Sequence, residues 1–296
     1  MNPTDPTVTT DPVLSTPPRC GVVGGGRMGA GIVHALLLAG ADVVILERDA
    51  EAAEAAAGRV RRALDVSAHR GAVADASELE GRVSTALNAA SLAGCGLVVE
   101  AVPEDVVLKH ETLSRVAGSV APDTVIASNT SSISLDELAK SVPQPERFIG
   151  LHFFNPVPAS KLVEVVLGSD TAPELRERAE SWVREWGKTP VVVRNSPGFA
   201  SSRLGVAIGL EAIRMLDEGV ASAEDIDAAM TLGYGFPMGP LRLTDLVGLD
   251  VRLGVARYLE RELGARFAPP ALMEEMVERG DLGHKTGRGF YDWSQA

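Results

Sequence analysis

The sequence predicts an α/β fold, a Rossmann-type doubly wound sheet followed by an all-helical C-terminal domain. Three observations support this prediction. A strand, a glycine-rich turn, a helix and a second strand follow one another over residues 19–49. Further short apolar runs alternate with helical patterns up to residue 194, as expected for a parallel sheet. Beyond the turn at 195–198 the strand signals end and helical patterns continue.

The first strand and helix enclose a G-x-G-x-x-G motif, because an apolar run from Cys20 to Val23 stops at Gly24. Gly24 permits a tight turn, Gly26 lets a pyrophosphate approach the helix N-terminus, and Gly29 allows close packing of helix and strand. This context favours a dinucleotide site over a purely structural turn. The predicted cofactor-binding residues of the turn are Gly24, Gly26, Arg27, Met28 and Gly29.

An acidic residue, Glu47, ends the second apolar run, Val43 to Leu46. Its carboxylate can accept hydrogen bonds from both hydroxyls of an adenosine ribose and would repel a 2′-phosphate. The sequence therefore predicts NAD rather than NADP as the cofactor. Arg48 leaves the alternative open, since an arginine at this position can accept that phosphate.

Length and composition fit a soluble protein with no affinity for nucleic acid or membranes. The chain has 296 residues, 45% of them hydrophobic, which is enough for a sizeable core. Its net charge of −12 argues against a surface for nucleic acid or anionic lipid. Cys20 and Cys95 lie in apolar segments and indicate buried thiols of a reducing compartment. The sequence shows no membrane-spanning run, signal peptide or metal-ligand cluster, so we expect a cytoplasmic protein.

Two changes in composition divide the chain into three predicted segments. Residues 1–18 are rich in Thr and Pro, begin no periodic pattern and are predicted to form a flexible tail. Residues 19–195 form the predicted NAD-binding domain. The turn Asn195-Ser196-Pro197-Gly198 marks the boundary, and residues 196–296 form the predicted helical domain for substrate binding and dimerisation.

Arginines are concentrated in the predicted helix over residues 50–70, in an otherwise acidic protein. They are Arg59, Arg61, Arg62 and Arg70. Two interpretations remain open at this point: a solvated helix face, and a surface that binds phosphates beside the dinucleotide site.

Two later strands contain or end in polar residues. Leu97 to Val102 reads as a strand buried on both faces, with Glu100 as its one acid. Thr124 to Ala127 is a second strand, and it ends in five small polar residues, Ser128 to Ser132. Ligands of open parallel sheets bind outside that end of a strand. The same segment can instead cap the helix from Ser134, with Glu137 in capping-box position.

A histidine and a glutamate lie on consecutive strands, at His152 in Phe148–Phe153 and Glu164 in Lys161–Leu167. The turn between them allows the two side chains to meet. A carboxylate on one imidazole nitrogen fixes the tautomer and leaves the other nitrogen as a general base. The alternative is that His152 is a hydrogen-bonded residue of the protein core with no catalytic role.

Helical patterns dominate the rest of the chain, with caps indicated at Ser222 and Pro240. The helix from Phe199 to Met215 is apolar over much of its circumference, so it must be buried in a bundle or between subunits. The predicted helices cover 172–187, 199–218, 222–232, 240–263 and 270–279.

Six segments together resemble the L-3-hydroxyacyl-CoA dehydrogenase family. They are GGGRMG, ASNTSS, GLHFFNPVPASKLVEVV, SPGF, EDIDAAMTLGYGFPMGPLRLTDLVGLD and GHKTGRGFYDW, in the family's order over nearly the whole chain after the tail. The resemblance implies that His152 is the catalytic base, that Glu164 orients it and that Ser131 hydrogen-bonds the reacting oxygen. His152 would take the proton of the substrate's 3-hydroxyl while C3 delivers a hydride to NAD.

The resemblance also implies ligand contacts. Arg70 matches a lysine that contacts the CoA adenosine phosphate, with Arg62 as the alternative two turns earlier. Where the family has an asparagine that positions the substrate, this chain has Ser202, whose hydroxyl offers one donor instead of two. Further cofactor contacts of the family fall on Glu104, Lys109, Asn155 and Lys285.

We therefore expect an acyl-CoA substrate, NAD and a homodimer that forms through the helical domain. Two alternatives belong to other classes of protein. An L-gulonate 3-dehydrogenase would act on a sugar acid and would not need arginines for CoA phosphates. A structural or sensor protein that binds NAD without catalysis would not need to retain Ser131, His152 and Glu164 together.

Overall fold

The structure is a computed structural model, and it describes residues 14–294. The chain divides into two compact units between Asn195 and Ser196. In the first unit the strands are β1 (Arg19–Val23), β2 (Asp42–Leu46), β3 (Val83–Ala86), β4 (Leu97–Glu100), β5 (Val125–Ser128), β6 (Phe148–Phe153), β7 (Leu162–Leu167) and β8 (Thr189–Arg194). Its helices are α1 (Arg27–Leu38), α2 (Ala50–His69), α3 (Ala76–Glu80), α4 (Val106–Ala117), α5 (Leu135–Ala139) and α6 (Pro173–Glu185).

The eight strands form one sheet in the order β3-β2-β1-β4-β5-β6-β7-β8. Neighbouring strands are parallel except for β6 and β7, which are antiparallel. The carboxyl ends of β1, β2, β4, β5 and β6 therefore meet the amino end of β7 at one edge of the sheet, called the ligand edge below. The predicted Rossmann-type fold is confirmed, although β3 was not predicted because this short edge strand is only half buried.

Residues just before β1 are fixed on helix α6. The indole Nε1 of Trp182 donates to the Ser15 carbonyl at 2.8 Å, and the backbone N–H of Thr16 donates to Glu185 at 2.6 Å. This part of the predicted flexible tail is therefore hydrogen-bonded to the first unit. The rest of that prediction, residues 1–13, lies outside the described residues.

Helix α5 is capped differently from the sequence prediction. The Ser134 side chain makes no capping bond to the helix, and the Leu135 N–H donates to Oδ1 of Asn195 at 2.9 Å. The amide of Asn195 also donates to the Ser134 hydroxyl at 3.0 Å. A residue 60 positions away thus performs the capping that the sequence assigned to a nearby hydroxyl and Glu137.

The second unit is helical, with α7 (Ser201–Asp217), α8 (Ala223–Gly233), α9 (Pro240–Val247), α10 (Leu249–Leu263) and α11 (Ala271–Arg279). The Ser222 hydroxyl caps α8, as predicted, by accepting the Asp225 N–H at 3.1 Å. The single helix predicted over 240–263 is wrong, because Gly248 has φ 104° and separates α9 from α10. That conformation is incompatible with a continuous helix and favours glycine.

Helix α7 is buried mainly within this helical unit. Its Val206, Leu210 and Ile213 pack in one hydrophobic cluster with Leu241 and Leu253 of the neighbouring helices. Of the two environments that the sequence left open for this helix, the bundle therefore accounts for most of its apolar surface.

The C-terminal segment of the unit is held by a fully buried carboxylate, Asp245. Asp245 accepts the backbone N–H groups of Phe290 at 3.0 Å and Tyr291 at 2.9 Å, and the indole N–H of Trp293 at 2.8 Å. Three donors thus compensate for the burial of this carboxylate.

Candidate active site

The glycine-rich turn between β1 and α1 has the shape of a phosphate cradle. Gly24 has φ 90°, which allows the chain to turn at once from the strand. A Cβ at Gly29 would lie 1.8 Å from the Gly24 carbonyl oxygen, so the helix and the turn are in direct backbone contact there. A Cβ at Gly26 would meet no atom within 4 Å. The space above Gly26 is therefore open at the helix N-terminus, which fits a pyrophosphate.

Glu47 lies beside this turn at the end of β2. Its Oε1 accepts the Gly25 N–H at 2.6 Å, which fixes the carboxylate against the turn. Arg59 of α2 donates to the Gly25 carbonyl oxygen at 3.2 Å, so one arginine of the helix supports the turn itself. Arg48 pairs with Asp49 and remains 85% exposed. Sequence reasoning missed Gly25, although the run of three glycines was a visible signal.

The end of β4 carries a buried pair of opposite charges. The Glu100 side chain is fully buried and the Lys109 side chain is 1% exposed, and their Oε1 and Nζ atoms are 2.7 Å apart. The Lys109 ammonium also lies 3.2 Å from the Val102 carbonyl oxygen and 3.3 Å from Oε2 of Glu104. The predicted cofactor contact at Lys109 thus faces the protein interior.

Glu104 holds the small polar segment that follows β5. Its Oε1 accepts five hydrogen bonds from the hydroxyl of Thr130 and from the N–H groups and hydroxyls of Ser131 and Ser132, at 2.7 to 3.2 Å. Burial alone would raise the pKa of Glu104, but Lys109 and these donors hold it below the ordinary value. Glu104 is therefore an anion that fixes the backbone around Ser131.

Two further contacts anchor the same segment. The Ser128 hydroxyl donates to Oε2 of Glu100 at 2.6 Å. The side-chain oxygen of Asn129 accepts the N–H of Phe153 at 2.9 Å, which joins the segment to the end of β6. Glu100 and Asn129 are not among the predicted site residues. An acid within an apolar strand was the available signal for Glu100.

The antiparallel pairing of β6 and β7 brings a histidine and a glutamate together. His152 and Glu164 are directly opposite in register, and their Nδ1 and Oε2 atoms are 2.7 Å apart. His152 is 6% exposed and Glu164 is fully buried. The Phe154 ring lies against the imidazole, with ring centroids 4.5 Å apart. A buried carboxylate on one ring nitrogen is the arrangement that orients a general base.

The remaining predicted site residues lie elsewhere. Asn155 is exposed in the turn between β6 and β7, and Arg62 and Arg70 are exposed on α2 and at its C-terminal end. In the helical unit, Ser202 is partly exposed in the first turn of α7. Lys285 forms an ion pair with Asp250, with its Nζ 2.5 and 2.6 Å from the two carboxylate oxygens.

Within residues 14–294, no helix is both long enough and apolar enough to span a membrane.

Comparison with known proteins identifies the family. The NAD-binding domain of 3-hydroxyacyl-CoA dehydrogenases matches residues 19–196, and the C-terminal domain of these enzymes matches residues 198–293. The probable 3-hydroxybutyryl-CoA dehydrogenase of Deinococcus radiodurans is 38% identical over 277 residues, covering 93% of this chain and 100% of that protein. The 3-hydroxyadipyl-CoA dehydrogenase of Escherichia coli is 41% identical over 280 residues, covering 92% of this chain and 58% of that protein.

Solved structures agree with the sequence relatives. The crystal structure of (S)-3-hydroxybutyryl-CoA dehydrogenase from Ralstonia eutropha has a TM-score of 0.90 at 38% identity, covering 95% of this chain and 100% of that one. Both domains, the sheet topology and the glycine-rich turn lead to the same conclusion. The chain belongs to the NAD-dependent 3-hydroxyacyl-CoA dehydrogenase family.

Proposed function

We propose that His152 and Glu164 form the acid–base pair with which this enzyme reversibly oxidises the 3-hydroxyl of an L-3-hydroxyacyl-CoA to a 3-oxo group. The observation that carries the proposal is the 2.7 Å contact between His152 Nδ1 and Glu164 Oε2, in a buried pair at the ligand edge. The buried carboxylate favours the tautomer with the proton on Nδ1, so Nε2 is the nitrogen that takes the substrate proton. Glu164 then stabilises the imidazolium.

The Ser131 hydroxyl donates to Glu104 at 3.2 Å in this structure, and we propose that it turns to donate a hydrogen bond to the reacting oxygen when substrate binds. The Ser131 backbone is held by Glu104, and the adjacent Asn129 joins the segment to β6, the strand of His152. These contacts join the segment that carries Ser131, which follows β5, to β6, the neighbouring strand that carries His152. Such preorganisation is the main contribution that a protein makes to hydride transfer, because the cofactor supplies the redox chemistry.

NAD fits the residues of the β1–α1 turn. Gly26 leaves open space at the helix N-terminus for the pyrophosphate, and Glu47 is proposed to accept the adenosine ribose hydroxyls. Asn155 and Glu104 are proposed contacts closer to the nicotinamide. Lys285 is a further proposed cofactor contact.

The test of the acid–base pair is the substitution His152→Gln. We expect kcat to fall by roughly 10²- to 10⁴-fold, the usual range for one general base, with the Kd for NAD nearly unchanged. The measurement is NADH formation from L-3-hydroxybutyryl-CoA, with L-gulonate as the control substrate. A near-normal kcat in this variant would remove His152 from the mechanism, and turnover of L-gulonate alone would favour a sugar-acid dehydrogenase.

The names of the relatives suggest two kinds of acyl group, a short unsubstituted chain and a chain that ends in a carboxylate. We propose the short 3-hydroxybutyryl chain, because relatives of that name match over their full length. Ser202 is the position at which substrate preference is expected to differ from the family. A comparison of kcat/KM for 3-hydroxybutyryl-CoA and 3-hydroxyadipyl-CoA decides between them.

A homodimer that forms through the helical unit is proposed from its exposed apolar residues. Leu232 is 87% exposed and Tyr234 is 78% exposed, and Leu243 and Leu246 of α9 are at least 40% exposed. Burial of these side chains between two copies of the chain would remove them from water. Light scattering at micromolar concentration should show a species of twice 31.1 kDa. We propose the cytoplasm as its compartment, which two buried and unpaired cysteines support.

A further inference from the structure

We propose that Lys188 is a positioning residue for the cofactor, because its ammonium fixes the turn that carries Asn155. The proposal rests on the proposed role of Asn155 as a contact close to the nicotinamide. Lys188 comes directly before β8, whose first residue pairs with Leu162 at the amino end of β7. Lys188 therefore lies at the ligand edge, next to the turn between β6 and β7.

The first step concerns Asn155 itself. The residue is exposed, and within residues 14–294 its side chain forms no hydrogen bond. The backbone of the turn, and not a contact of the amide, therefore sets where this side chain lies. Any group that fixes the turn also fixes the direction from which Asn155 can meet a cofactor.

The second step is the contact between Lys188 and this turn. The ammonium donates to the Val157 carbonyl oxygen and to the Ser160 carbonyl oxygen, each at 2.6 Å. The N–H groups of Ala159 and Ser160 both donate to the Pro156 carbonyl oxygen at 3.0 Å. The ammonium thus holds two carbonyl oxygens of one turn that is also hydrogen-bonded within itself.

The third step is that these carbonyls are what compensates the ammonium for its burial. Lys188 is half-buried, and burial lowers its pKa from the ordinary value. Among the described residues it forms no ion pair with a carboxylate. Hydrogen bonds from a charged donor are about twice as strong as neutral ones, so the two carbonyl contacts hold the ammonium and the turn together.

Val157 ties the same turn to helix α1. Val157 is 2% exposed, and a Cβ at Gly31 would lie 2.6 Å from the Val157 Cβ. Helix α1 begins at Arg27, beside the space proposed for the pyrophosphate. Because Lys188 holds the Val157 carbonyl while the Val157 side chain packs on α1, the ammonium helps to set how far Asn155 lies from the pyrophosphate.

The experiment is a double-mutant cycle of Lys188→Met and Asn155→Ala, with kcat/KM for NAD measured at saturating L-3-hydroxybutyryl-CoA. Each single variant should lower kcat/KM for NAD about tenfold, because one cofactor hydrogen bond is misplaced or lost. The double variant should lose no more than about threefold beyond Asn155→Ala, since Lys188 acts through a side chain that is already gone.

Binding of ADP-ribose, which is NAD without its nicotinamide, separates this role from a general disturbance of the site. Its Kd in Lys188→Met should stay within about twofold of the wild type. Arg147→Met is the matched control. Arg147 lies at the opposite end of β6 and donates to the Ala121 and Thr124 carbonyl oxygens at 2.6 and 3.3 Å. Its loss should lower Tm and leave kcat/KM for NAD within about twofold of the wild type.

Three results would overturn the proposal. A full loss from Lys188→Met in the Asn155→Ala background would show that Lys188 acts by another route. An equal loss of affinity for ADP-ribose would show a general disturbance, and a lower Tm with unchanged kcat/KM would show a role in stability alone. If Lys188→Met does not fold, Lys188→Gln, which keeps an amide donor, takes its place in the cycle.

Failure of the proposed function has a different signature. Wild-type kcat/KM for NAD in Asn155→Ala would remove Asn155 from the cofactor contacts. If the wild type does not turn over L-3-hydroxybutyryl-CoA, the proposed substrate is wrong, and the same cycle measured by the Kd for NAD still tests whether Lys188 acts through Asn155.

Discussion

Two alanine substitutions within the glycine motif should affect different properties, cofactor binding at Gly26 and stability at Gly29. At Gly26, a Cβ meets no protein atom within 4 Å, and the residue has φ −61°, which alanine adopts without strain. Gly26→Ala should therefore change the free energy of unfolding by less than about 1 kcal/mol. The added methyl group would occupy the space proposed for the pyrophosphate. Loss of one charge-assisted hydrogen bond, about 1.5–3 kcal/mol, predicts a Kd for NAD raised roughly 10- to 100-fold.

At Gly29 the same methyl group would lie 1.8 Å from the Gly24 carbonyl oxygen and 2.9 Å from its carbon. Both atoms belong to the backbone, so helix α1 must move away from the turn. Overpacking of this kind costs about 1–3 kcal/mol or more, which corresponds to a Tm lowered by roughly 3–10 °C.

Thermal unfolding and NAD titration of both variants test the pair. Wild-type affinity for NAD in Gly26→Ala would refute the phosphate cradle. A wild-type Tm in Gly29→Ala would refute the backbone contact.

Three further predictions concern charge. Glu47→Ala should raise the Kd for NAD and reduce the preference for NAD over NADP, measured as the ratio of the two Kd values, by roughly 10- to 100-fold. Glu47→Gln keeps a hydrogen-bond acceptor, so it should mainly lower the Kd for NADP. A wild type that prefers NADP would contradict this prediction. Arg70→Ala should raise KM for the CoA thioester with kcat little changed, and this rise should disappear with a truncated pantetheine thioester. An equal rise in KM for both substrates, or a rise in Arg62→Ala instead, would show that Arg70 does not contact the CoA phosphate. Burial, and secondarily Lys188, lowers the pKa of His34, so the unfolded state binds a proton more readily than the folded state. The free energy of unfolding should therefore fall as pH drops from about 7 to 5, and less steeply in His34→Gln; parallel pH profiles would show that His34 does not titrate on unfolding.

The sequence predicted the elements whose signal is local. The glycine motif, the buried strands and the Ser222 cap depend on residues close together in the chain, and the structure has them. The break at Gly248 was not predictable from periodicity, because apolar residues continue at helical spacing on both sides of it. The capping of α5 by Asn195 also escaped prediction, since it joins residues 60 positions apart.

The candidate site shows the same division. The strand-end position of His152 and the carboxylate on the next strand could be found from spacing, because the turn between two antiparallel strands is short. The burial of Lys109 could not be found from the sequence, because helical spacing does not show which neighbour an ammonium will face. Family resemblance predicts a cofactor contact at Lys109, and the structure shows in addition that its ammonium is paired with Glu100 and Glu104.

The contacts of Asp245 have a consequence for the order of folding during synthesis. This buried carboxylate of α9 finds its three donors in Phe290, Tyr291 and Trp293, which are synthesised after all five helices α7 to α11 of the unit. Until those residues leave the ribosome, the helical unit contains an ion that it must keep hydrated, so its interior cannot close. The sheet unit, whose strands end at Arg194, can close first. A chain that stops before Phe290 should accordingly retain a protease-resistant sheet unit while its helical unit is digested.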